Sequence, residues 1–74
     1  IRFSLPWAVD VTVKVHNDHG QLVRTLVDER MDAGEFQVTW DGKDDSGAQV
    51  ATGVYLYQIE APNLRLHKKV TFLK

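Results

Sequence analysis

Apolar and polar residues alternate with a period of two over much of the chain. Ile1, Phe3 and Leu5 alternate with Arg2 and Ser4. Val11, Val13 and Val15 alternate with Thr12, Lys14 and His16, and Phe36, Val38 and Trp40 with Gln37 and Thr39. Successive side chains of a strand point to opposite faces, so this pattern predicts strands with one dry and one wet face. Residues 54–61 begin apolar on both faces, with Val54, Tyr55, Leu56 and Tyr57 in succession. That is the mark of a central strand covered on both sides. Residues 65–74 alternate again, Leu66, Val70 and Phe72 against His67, Lys69 and Thr71. Lys68 interrupts the apolar face, as expected of a strand leaving the core or lying at a sheet edge.

The breaks between these runs are regular. Gly20, Gly34, Gly42, Gly47 and Gly53 all fall between apolar stretches, as do Pro6 and Pro62, where a missing amide donor costs least. Residues 21–30 fit two templates, because Leu22, Val23, Leu26 and Val27 would also line one face of a helix. The turn signal Asn17-Asp18-His19-Gly20 follows a strand directly and favours a hairpin partner instead. A helix of this length would also be marginal without tertiary packing. A strand over residues 22–27, then an irregular stretch to Ala33, is therefore expected. Short strands at close spacing without a helix predict an all-β fold, a small antiparallel β-sandwich of about seven strands.

Composition narrows the function. The 74 residues carry a formal net charge of −1 and no cysteine. One small domain fits that length. A basic face of the kind that binds nucleic acid is not expected at this charge, and no apolar run approaches the roughly 20 residues of a membrane helix. Without cysteine there is no disulfide framework and no thiolate nucleophile or metal cage. Ser4 lies in a strand and Ser46 in a turn, neither in the strand–turn–helix setting of a catalytic serine. No nucleophile, base and orienting group can be assembled, so the chain is read as not an enzyme, and no cofactor is expected.

Two other chemistries have partial signals. Asp41, Asp44 and Asp45 make an acidic stretch that suggests a calcium loop. Lys43 occupies the second ligand position, however, Ser46 stands where glycine is needed, and the distal Glu is missing. The simpler reading is a pair of turns in which aspartates bind nearby backbone amides. Carbohydrate binding would need an exposed aromatic platform. Trp7, in a loop after Pro6, is the one aromatic whose position looks hard to bury, while Trp40 continues an apolar face. Carbohydrate is accordingly a weak partner expectation.

The run Trp40-Asp41-Gly42-Lys43-Asp44, then Ser46-Gly47, Val50-Ala51 and Gly53-Val54-Tyr55-Leu56-Tyr57, closely resembles the Ig-like domain named after the flagellar hook-capping protein. The opening IRFSLP, Val13-Lys14-Val15, Gly20-Gln21-Leu22-Val23, Ala33-Gly34 and the ending from His67 to Lys74 match as well. The resemblance implies an Ig-like sandwich. It also implies structural roles for Trp40, Asp41, Gly42, Gly53 and Tyr55, with Asp41 tying a loop and Gly53 allowing close packing before the central strand.

Such domains are similar to the C-terminal sorting domains of the type IX secretion system. Their basic final strand matches Lys68, Lys69, Val70, Phe72 and Lys74, which become the candidate recognition strand. On this resemblance residues 1–74 are one module at the C-terminal end of a larger bacterial protein. The expected role is secretion sorting and attachment at the cell surface, with outer-membrane attachment machinery as partner and a catalytic domain in cis. The long stretch from Trp40 to Gly53 is closer to the hook-cap type. The first alternative is thus a structural Ig-like domain of a flagellar hook cap, and the second is a carbohydrate-binding accessory module.

Overall fold

The computed structural model describes residues 2–62 and 64–73. Ile1 of the opening run, Asn63 of the Pro62-Asn63 turn and Lys74 of the candidate recognition strand lie outside the described residues. Six strands form: β1 (Arg2–Leu5), β2 (Val9–Asn17), β3 (Leu22–Met31), β4 (Gly34–Gln37), β5 (Gly53–Ala61) and β6 (Leu64–Phe72). All pairing is antiparallel. Four strands make one sheet in the order β3-β2-β5-β6, and β1 pairs with β4 in a two-stranded sheet. The fold is a small antiparallel β-sandwich.

Strand β2 sits between β3 and β5, and its period-two pattern sets which way the sheet faces. Val11, Val13 and Val15 are fully buried, whereas Thr12, Lys14 and His16 are half-buried on the opposite face. Across β5 the register places Ile59 beside Val13 and Tyr57 beside Val15. Across β6 it places Leu66 beside Ile59 and Lys68 beside Tyr57. The β1–β4 pair lies on this inner face. Phe3 and Leu5 of β1 join Val9, Val11, Val13 and Ile59 in one buried cluster, with Leu26, Val27, Met31, Phe36, Val38, Ala61 and Leu64 packed against it. Phe3 and Phe36 are direct partners across β1 and β4, their ring centroids 5.7 Å apart.

The turn between β2 and β3 is built by Asn17. Its side-chain oxygen accepts the amides of His19 at 3.0 Å and Gln21 at 2.9 Å. Gly20 supplies the left-handed backbone, φ 81°, that the reversal needs.

Two expectations shift. Strand β3 does not stop at Val27 but continues to Met31, because β2 offers an unbroken ladder, pairing Val11 with Glu29 and Val9 with Met31. The alternation of Phe36, Val38 and Trp40 is strand only in its first part, and the six strands among the described residues are close to the seven expected. β4 ends at Gln37, and residues 38–52 form a loop whose single ladder contact is the Lys43–Gln49 bridge.

Truncating Val13, which is 0 % exposed, leaves a void where both neighbouring strands hold the backbone in place. Val13→Ala is expected to cost about 2 kcal/mol and lower Tm by about 8–16 °C. Val54→Ala, at a position 43 % exposed, should stay within about 0.5 kcal/mol of wild type. Thermal unfolding followed by circular dichroism measures both.

Candidate functional site

The chain leaves β4 at Gln37 and crosses the far end of the inner face, where Trp40 meets three rings. Its centroid lies 5.1 Å from Tyr55, 5.5 Å from Phe72 and 6.3 Å from Tyr57. The edge-on and tilted geometries place positive ring edges toward negative ring faces. The indole Nε1 donates to the Lys43 carbonyl at 2.9 Å, so a half-buried tryptophan keeps its polar atom satisfied. The Tyr55 hydroxyl donates to the Ala51 carbonyl at 2.6 Å. Burial raises the pKa of the Tyr57 hydroxyl.

The three aspartates proposed as a weak metal site do different work, each with its own partners. Asp41 Oδ1 accepts the Lys43 amide at 3.0 Å and Arg24 Nη1 at 2.9 Å, tying the loop to β3. Asp44 Oδ1 accepts the Ser46 amide, the Ser46 hydroxyl at 2.6 Å and the Ala48 amide. The Ser46 hydroxyl, followed by the Ala48 amide, holds the Asp44 pKa below its usual 3.8. Asp45 lies along the edge of β3, its amide donating to the Val23 carbonyl and its carboxylate accepting the Thr25 amide. Among the described residues no three His, Cys, Asp or Glu side chains gather as a metal site.

Gly42 is the tightest point. It is buried with φ +78°, and a Cβ there would clash with Cε1 and Cζ at the edge of the Phe72 ring. The close approach expected at Gly53 is found at Gly42 instead, since the nearest atom to a Cβ on Gly53 is 4.0 Å away, in ordinary contact.

The candidate recognition strand does not present one basic face. Lys68, Val70 and Phe72 alternate on the inner face opposite Tyr57, Tyr55 and Gly53, whereas Lys69 pairs with Leu56 on the outer face. Phe72 is enclosed by Trp40 and Gly42. Trp7 is 59 % exposed and belongs to neither aromatic group among the described residues. Arg24 went unnoticed in the sequence. Register shifts in β3 bring it opposite Val15, on the inner face, where simple alternation does not put it.

The loop analysis yields two tests. Gly42→Ala combines a left-handed backbone with overpacking against Phe72 and is expected to cost about 2–4 kcal/mol. Gly53→Ala should stay within about 0.5 kcal/mol of wild type, and chemical denaturation reads the contrast. For Asp44 the folded pKa is the depressed one, so its contribution is complete above the unfolded value of 3.8. It is lost as the pH falls through the folded pKa. The Tm gap between wild type and Asp44→Ala should therefore be full near neutral pH and shrink below pH 3.8. A gap that stays constant down that range would contradict the assignment.

Comparison with known proteins places this geometry in a family. The model of the FlgD Ig-like domain matches residues 1–64. The chain is 40 % identical over 53 residues to the basal-body rod modification protein FlgD of Salmonella typhimurium, and equally to that of Salmonella typhi. In each case the alignment covers 72 % of this chain and 23 % of the relative, so the chain spans about a quarter of the length of the curated relatives it matches. No solved structure matches. These matches support the hook-capping type and not the similarity to type IX sorting domains. The chain belongs to the FlgD Ig-like domain family.

Proposed function

We propose that the chain is a structural, non-catalytic Ig-like module of a flagellar hook-capping protein, acting in hook assembly through protein–protein contacts outside the cell membrane. The observation that carries this reading is the family match over residues 1–64 together with 40 % identity to the two Salmonella proteins. The chemistry of the loop agrees with it. Asp41, Asp44 and Asp45 each satisfy nearby backbone or guanidinium donors, a use that stabilises a scaffold. The secretion-sorting reading draws nothing from these relatives, and β6 beyond Leu64, where its signal would lie, falls outside the matched segment.

The test is a segment exchange. The matched part of the Salmonella typhimurium protein is replaced by this chain in a strain lacking its own copy. The expected outcome is restored swimming in soft agar and hooks visible by electron microscopy. A chimera that accumulates to the native level, as judged by immunoblot, yet supports neither hooks nor swimming overturns the proposal.

A further inference from the structure

The two sheets do not cover one another completely. The two-stranded sheet ends at β1, and no described strand pairs with the other side of β1. Beneath that open side the inner face of β6 is exposed at Leu66 and Lys68. Leu66 is 45 % exposed although its register neighbour Ile59 is buried. Two hollows follow this gap in succession. The first, of ≈ 210 Å³, lies between Arg2 and Leu66, His67 and Lys68. The second, of ≈ 130 Å³, lies between Leu5, Trp7 and Leu64. Both are smaller than the roughly 300–1,000 Å³ that encloses a small molecule. Their alignment with a strand edge suits an extended chain, which gains affinity from main-chain hydrogen bonds and specificity from alternate side chains.

Both edges of the four-stranded sheet are guarded. Asp45 occupies the edge of β3 at Val23 and Thr25, and β6 carries Arg65, Lys68 and Lys69. Charged side chains of that kind discourage strand addition. β1 has only Arg2, at one end, and Pro6 just beyond Leu5 halts pairing at the other. Charge then selects the occupant. Arg2, His67 and Lys68 line the first hollow, and among the described residues no carboxylate lines either one.

We propose that the edge of β1 and the exposed floor of β6 take a short extended segment of a partner protein, apolar at alternate positions and carrying a carboxylate beside Arg2 and Lys68. The inference rests on the assembly reading for its premise of a protein partner. The measurement uses purified components, so its failure leaves the segment exchange standing, and the reverse also holds.

The probe is the capped peptide Glu-Val-Thr-Val-Thr-Val-Glu, titrated into the ¹⁵N-labelled chain and followed by amide shifts. A second peptide has Lys in place of Glu. The expected result is shifts concentrated at residues 2–5 and 64–68, with the Glu peptide binding about twofold to tenfold more tightly than the Lys peptide and losing that advantage at high salt. Lys68→Glu, and Arg2→Glu combined with it, change exposed positions and should shrink and then reverse the preference. Equal binding of the two peptides, or no shifts at those residues, overturns the proposal. So does self-association of the unliganded chain through the same residues, since the occupant would then be a second copy.

Discussion

The structure depends on the need to keep one face of β2 dry. Val11, Val13 and Val15 present a continuous apolar surface that water does not reach, and burying such side chains supplies most of the favourable free energy available to so short a chain. β3 and β5 flank β2 in its own plane but cannot cover it from above. That task is divided. The β1–β4 pair covers the end around Val9 to Val13, and the loop of residues 38–52 brings Trp40 over Tyr55 and Tyr57 at the other end. A loop can serve as half of a cover only if it is rigid. The aspartates, the Trp40–Lys43 hydrogen bond and the Arg24 link all hold its backbone in one shape.

The loop therefore solves two problems together. Most of the loop is exposed and only Gly42 is buried, yet a backbone held in one shape still needs partners for its polar groups. Here the Asp44 amide meets the Ala48 carbonyl, the Val50 amide meets the Gly42 carbonyl, and carboxylates take several of the remaining donors. The same arrangement pins the edge of β3 through Asp45. An acidic cluster that looks like chemistry in the sequence is accounted for by local backbone satisfaction.

The strands were largely legible because half-buried strands leave a period-two imprint, clearest in residues 11–16 and 65–72. The turn at Asn17 to Gly20 was legible for a similarly local reason. What alternation could not convey depends on contacts distant in the chain. Arg24 meets Asp41 across 17 positions, and its placement on the inner face requires the irregular register of β3. The extent of β3 to Met31 depends on β2, not on the polar residues Asp28 to Arg30 themselves. The role of Gly42 was assigned to Gly53 because a tight spot set by a ring 30 positions away leaves no mark in the neighbouring sequence. The resemblance carried the fold and the hook-cap alternative, but its closeness to sorting domains drew attention to a basic strand whose lysines diverge.

The approach of Phe72 to Gly42 has a dynamic consequence. With the ring of the last strand seated directly on the loop backbone, neither piece can move far without the other. Peeling β6 from β5 at its Phe72 end would uncover Trp40 and remove the surface on which the loop rests. Loosening the loop would in turn strip Phe72 of its neighbours. The two segments should breathe as one cooperative opening unit in native-state amide exchange, separate from the β2 ladder. A pull on β6 at Phe72 would thus be passed directly to residues 38–52.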